Sequence, residues 1–218
     1  MSVKRLVFIR PGETNWNLQG RFQGWVESPL NEYGRLQIER LANFIRNLGL
    51  SVLYSSDIRR AKESAEILAT RLGYPPIYDE RLRERSVGHW QGLTVPEIHG
   101  WYASEYAEFQ KDPDNYQIPG GESLAQVKKR AQASLKEILK KHDKDDNITV
   151  GIVSHTITIN MMLGVLLPKT DTFARTFGNS SVTTVLRDGD AWRVTADNDT
   201  AHLEGKIARV MPPTEMGG

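Results

Sequence analysis

The sequence predicts an α/β sandwich: a mainly parallel sheet with helices on both faces. Four short apolar runs, Leu6–Ile9, Ser51–Tyr54, Ile148–Val153 and Val182–Leu186, have the length of strands. The first and third are almost unbroken in apolar residues, the pattern of a parallel strand covered on both sides. Helical stripes lie between the runs, and strand–helix alternation is the signature of this class.

Each element has a local reason. Leu41, Phe44, Ile45 and Leu48 recur at helical spacing, and Gly49 is a natural stop. Ile58, Ala61, Ala65, Leu68 and Leu72 form a second stripe that ends at Gly73, with Asp57 as the expected N-cap. Thr94 with Glu97 and Ser123 with Gln126 have capping-box spacing. The latter opens a helix along Leu124, Val127, Ala131, Leu135 and Ile138. Its charged run, Lys128 to Asp146, reads as a solvated face. Asp188-Gly189-Asp190 predicts a hairpin into a last strand, Trp192–Ala196, and so an antiparallel sheet edge.

Composition narrows the function. The chain has 218 residues, 39% hydrophobic and 25% charged, which suits a folded protein with a real core. Lys and Arg total 28 against 27 Asp and Glu, a net +1, so no surface built mainly for nucleic acid is expected. There is no cysteine, which removes disulfides and thiolate chemistry. No run reaches the length of a membrane helix, and Leu6–Ile9 is too short for a signal peptide's apolar region. A cytoplasmic protein is the resulting expectation, with one domain over 1–210 and a disordered tail over 211–218.

In an open α/β sheet, ligands bind beyond the carboxyl ends of the strands. That rule selects the residues following three of the runs. Arg10-Pro11-Gly12-Glu13-Thr14-Asn15-Trp16-Asn17 offers a planar fork of donors and short polar residues for an oxyanion. Ser55-Ser56-Asp57-Ile58-Arg59-Arg60 places two arginines beside a core stripe, so one of them can turn back toward the strand ends. Ser154-His155-Thr156 places a histidine at a helix N-terminus, where backbone dipoles favour an anion. A fourth segment, Leu82 to Gly92, sets Glu84 among arginines, either as a structural ion pair or as a proton donor with a raised pKa. Taken singly, each has an ordinary reading as a surface arginine, a structural carboxylate or a core histidine.

Together and in order, these segments resemble the histidine phosphatase superfamily, which includes phosphoglycerate mutases and broad-specificity phosphatases. The family pattern runs R-H-G-E-T-x-x-N, S-D-L-x-R-A, L-x-E-x-x-x-G-x-W-E-G and S/T-H-G. The chain also carries Asn17 to Trp25, Pro29-Leu30-Asn31, Gly34, Gly120-Gly121-Glu122-Ser123 and Asn198 to Leu203 in matching places, so the resemblance spans residues 4–203. It implies a phosphoglycerate mutase-like fold and a phosphate pocket formed by Arg10, Asn17, Arg60 and His155, with Thr156 at its wall. It implies Glu84 as proton donor, His155 as a catalytic partner, no metal and no organic cofactor. The expected ligand is a small phosphorylated metabolite or inorganic phosphate, with no nucleic acid or membrane partner. Oligomeric state stays open, a homodimer included. The short Gly92–Gly120 segment is similar to the phosphatase branch.

Two positions depart from the pattern. Pro11 stands where the family's attacking histidine belongs, and proline has no nucleophilic side chain and no backbone N–H. Thr156 replaces the glycine after His155 and adds a Cβ to the pocket wall. Three readings follow: a phosphate-binding protein with strongly impaired or absent turnover, an active phosphatase using His155 and water, or an interaction protein with an empty pocket.

Overall fold

The computed structural model describes residues 3–145, 147–168 and 175–204. The expected tail over 211–218 lies outside the described residues. Six strands form one sheet in the order β3-β2-β4-β1-β5-β6. They are β1 (Arg5–Ile9), β2 (Val52–Ser55), β3 (Ile77–Tyr78), β4 (Thr149–Val153), β5 (Val182–Asp188) and β6 (Ala191–Asp199). The pairings β1–β4, β2–β4 and β2–β3 are parallel, while β1–β5 and β5–β6 are antiparallel. The expected sheet therefore forms, within a residue or two at most strand ends. Gly189, at a φ of 61°, turns the predicted hairpin. The two-residue β3, exposed at the sheet edge, carried no pattern in the sequence.

Helices cover both faces. On one side α2 (Glu32–Ile45) and α3 (Arg59–Leu72) pack Ile38, Leu41, Ile45, Ala61, Ala65 and Leu68 against Val7, Ile9, Leu53 and Val153. On the other, α6 (Leu124–Lys141) and α7 (Thr156–Leu166) pack Val127, Leu135, Ile138, Ile159 and Leu163 against Leu6, Phe8, Val150 and Ile152. Alternate residues of β1 thus feed different cores, as the near-continuous apolar run requires. A third cluster gathers Val87, Ile98, Tyr106, Phe109 and Ile118 around the fully buried Trp90. It includes α4 (Val95–Trp101) and α5 (Ala103–Lys111), while the short α1 (Asn15–Leu18) follows β1.

The capping boxes at Thr94–Glu97 and Ser123–Gln126 form as expected. Asp57 does not cap α3. The N-cap is Ile58, without a side-chain bond, because the Asp57 carboxylate instead takes the Arg83 guanidinium at 2.8 and 2.6 Å. A second correction concerns the charged face of α6. Lys128 and Lys129 are exposed, but Arg130 turns inward and is spent on hydrogen bonds to buried backbone.

The turn after β1 is seated by two glycines. A Cβ on Gly12 would lie 2.4 Å from the Gly34 carbonyl oxygen, and one on Gly34 only 2.1 Å from that of Glu13. Neither needs unusual backbone angles; both are glycine because two backbones touch. Gly12→Ala is expected to cost about 1–3 kcal/mol through overpacking. Thermal unfolding should then show a midpoint lower by roughly 2–12 °C for a chain of this size.

Candidate functional site

The three segments selected by the strand-end rule meet at the carboxyl edge of β1, β2 and β4. Arg10 leaves β1 with its backbone N–H bonded to Ser181 O at 3.0 Å, and its guanidinium donates to Phe177 O. Pro11 follows, buried, and its carbonyl accepts from Ser180 N at 3.0 Å. Its missing N–H leaves no gap in that pairing. Glu13 anchors the turn behind: its N–H donates to Gln37 Oε1 and its carboxylate accepts from Asn31 Nδ2.

The arginine pair after β2 divides as the stripe requires. Arg59 stays outside and pairs with Glu63 at 2.9 Å. Arg60 is buried and its guanidinium is fixed by Gly24 O at 2.9 Å and Val26 O at 3.3 Å. His155, at the N-cap of α7, is buried with Nε2 3.0 Å from Ser56 Oγ. Glu84 is buried as well. One carboxylate oxygen accepts from Arg85 N at 2.8 Å and the other from Ile157 N, in the first turn of α7, at 3.3 Å.

These four side chains share one electrostatic neighbourhood although they span residues 10 to 155. Burial lowers the Arg10 guanidinium to about 10, against the opposing pull of Glu84. Burial likewise lowers Arg60 to about 10, with Glu84 opposing it and Arg10 adding to the drop. His155 falls well below the usual histidine value, first through burial and then through the charges of Arg60, Arg130 and Arg10. Burial raises the Glu84 carboxyl, against hydrogen bonds from the Arg85 and Ile157 amides and the charges of Arg60 and Arg130. The buried Arg60 and the half-buried Arg10 thus face one buried carboxyl whose ionisation burial opposes. Uncompensated buried charge is costly, so the arrangement favours an incoming anion.

Two further residues named by the resemblance sit in the first turns of helices. Asn17 Oδ1 accepts from Thr14 N at 2.9 Å and completes a capping box for α1. Thr156 is buried as the first residue of α7. The residues missed by sequence reasoning are the supports of Glu84. Ser154 Oγ donates to Leu82 O, Thr158 Oγ1 to Arg83 O and Trp25 Nε1 to Glu84 O, at 2.8, 2.6 and 2.6 Å. Among the described residues no cluster of His, Asp or Glu is placed to hold a metal ion, and no helix is long and apolar enough to cross a membrane.

The Glu84 environment predicts a pH effect. A carboxyl whose folded pKa is raised stabilises the fold fully below its unfolded value, and that contribution is lost as pH rises through the folded value. The stability of the parent relative to Glu84→Gln should therefore fall as pH climbs from about 4 through the folded pKa, then level off. Thermal unfolding of both proteins across that range measures it. A difference that moves the opposite way contradicts the raised pKa.

This geometry, a mixed six-stranded sheet with an arginine–histidine–glutamate cluster at its carboxyl edge, has close counterparts. The chain belongs to the histidine phosphatase superfamily (branch 1), whose family model matches residues 6–200. It is 34% identical over 202 residues to phosphoglycerate mutase-like protein 4 of Arabidopsis thaliana, covering 91% of this chain and 86% of that protein. Among solved structures it is similar to a mycobacterial glucosyl-3-phosphoglycerate phosphatase complexed with VO3: TM-score 0.80, 30% identity, 90% of this chain and 99% of the other. It is also similar to a histidine-to-alanine mutant of Entamoeba histolytica phosphoserine phosphatase in complex with phosphoserine: TM-score 0.78, 28% identity, 91% and 98% coverage.

Proposed function

We propose that this chain binds small phosphate monoesters, or inorganic phosphate, at Arg10, Arg60 and His155 and hydrolyses them very poorly. The observation that carries this reading is the pair of guanidinium groups, Arg60 buried and Arg10 half-buried, beside the buried Pro11, which by the family resemblance stands where the attacking histidine belongs. The cationic half of the site is kept and the covalent half is missing. The Entamoeba relative supports separating the two, since a protein of this family with a histidine replaced by alanine is described in complex with phosphoserine.

Magnitudes favour impaired turnover. Phosphate monoester hydrolysis needs acceleration of up to about 10²¹-fold. A protease site without its nucleophile retains only about 10³–10⁴ over water. Transferred even loosely, a site of intact charges without a nucleophile turns over negligibly. A water nucleophile activated by His155 would need a basic imidazole. Burial and three arginines make His155 a weak base, and its Nε2 is already engaged by Ser56.

The test pairs binding with turnover on the purified chain. Phosphate and vanadate should raise the melting temperature, because a ligand of the native state alone stabilises it. An aryl phosphate should remain uncleaved under the same conditions. An unchanged melting curve with saturating phosphate, vanadate and several sugar phosphates would end the reading.

A further inference from the structure

We infer that Arg130, locked by Glu122, is a positioning residue that sets the carboxyl of Glu84 against the N-terminus of α7. The inference rests on the reading of Glu84 as the site's acid and assigns a role to Gly120-Gly121-Glu122-Ser123, a motif that the pocket itself leaves unused.

The planar fork of Arg130 is fully engaged. Nε and one terminal nitrogen grip the Glu122 carboxylate at 2.8 and 2.9 Å. The other terminal nitrogen donates to Arg81 O at 2.8 Å and Arg83 O at 2.6 Å, and the first reaches Glu84 O at 2.9 Å. One side chain therefore holds three carbonyls of the segment ending at Glu84. Glu122 extends the clamp past the acid: its Oε2 accepts from Ser86 N at 2.9 Å and its backbone N–H donates to Ser86 O at 2.8 Å. The backbones touch here. A Cβ on Gly88 would lie 2.0 Å from Pro119 O, and one on Gly121 would lie 2.5 Å from Ser86 O.

Arg130 and Glu122 thus bond the Arg81, Arg83 and Glu84 carbonyls and the Ser86 amide, beside the bonds that Ser154, Thr158 and Trp25 make to the same stretch. The carboxylate at its centre meets two backbone amides, Arg85 and Ile157. Lysine at position 130 would keep the charge but not the planar fork, so it could not hold carboxylate and carbonyls together. Positioning by geometry and positioning by charge are therefore separable.

The Arg85 and Ile157 amides report the carboxylate directly, with or without turnover. In the full chain their NMR shifts should titrate with Glu84, and Glu84→Gln should abolish that titration. The other charged groups near Glu84 are Arg10, Arg60, Arg85, Arg130 and the Glu122 carboxylate that Arg130 holds, with His155 close by. In Arg130→Met the Ile157 titration should collapse and its hydrogen exchange should quicken by about tenfold or more, local opening being separable from global unfolding. Amides of β1 and β4 should keep their protection. Arg130→Lys should behave like Arg130→Met. Parent-like titration and exchange in Arg130→Met, or full rescue by lysine, would overturn the assignment. If Arg130→Met does not fold, Glu122→Gln must show the same loss in milder form; a parent-like Glu122→Gln, or failure of both variants to fold, equally overturns it. Phosphate-induced stabilisation of the same samples is read separately. Its absence in the parent would fail the functional reading and leave the amide result to decide on Arg130.

Discussion

Pro11→His is expected to create phosphatase activity, by a factor on the order of 10³ or more over the parent chain. The new imidazole would follow Arg10 at the end of β1, beside a site that already holds Arg60, His155 and Glu84. Its nitrogen would form a bond to phosphorus as the ester P–O bond breaks, and the Glu84 proton would go to the departing alcohol oxygen. Water would then cleave the P–N bond and release inorganic phosphate. Burial raises the Glu84 pKa, the direction that a proton donor for the first step requires. Turnover of an aryl phosphate and acid-labile phosphate on the new histidine measure the two halves of this route. Adding Glu84→Gln should slow alkyl phosphates more than aryl phosphates, whose leaving groups need less protonation. A Pro11→His protein that folds and binds phosphate but stays inert would show that Pro11 is not the sole lesion. The buried Thr156, first in α7, is the next position to change, as Thr156→Gly.

Removal of either the Arg10 or the Arg60 guanidinium is expected to produce the largest loss of binding. Each charge-assisted hydrogen bond to a phosphoryl oxygen contributes about 1.5–3 kcal/mol, so Arg10→Ala or Arg60→Ala should weaken phosphate binding roughly 10- to 100-fold. Arg60 should be the more damaging loss, because Gly24 and Val26 already hold its fork in place and little order remains to be imposed. Arg59→Ala is the matched control. Its side chain is 55% exposed and pairs with Glu63, so phosphate affinity should not change. Calorimetric titration with inorganic phosphate distinguishes the three variants. Equal, small effects at positions 59 and 60 would contradict a site built on Arg60.

The sheet was legible because its signals are local. Leu6–Ile9 and Ile148–Val153 are apolar on both faces, and the two cores divide those residues as the pattern requires. The strand-end rule selected the segments that carry Arg10, the Arg59–Arg60 pair and His155, and the family resemblance singled out Arg60. What the sequence hid depends on contacts between distant segments. Asp57 has every local feature of an N-cap, but an arginine 26 positions along the chain competes for it and wins with a two-pronged bond. Arg130 sits in a run of charges that reads as solvated, and only the approach of residues 81–84 reveals its inward role. Asn17 is a pocket residue by resemblance, yet its side-chain oxygen closes the first turn of α1. Gly12 and Gly34 likewise have no local reason to be glycine; each is explained by the other's backbone.

The most direct test of the central claim is a single-turnover experiment with the unmodified chain in excess over a labelled phosphate monoester such as phosphoserine. The account predicts that the label co-migrates with the protein as intact ester, with no covalent phosphoprotein and no release of inorganic phosphate. Arg60→Ala should abolish the co-migration. Rapid release of phosphate by protein free of contaminating enzyme would contradict it, as would failure of the ester to bind at any protein concentration.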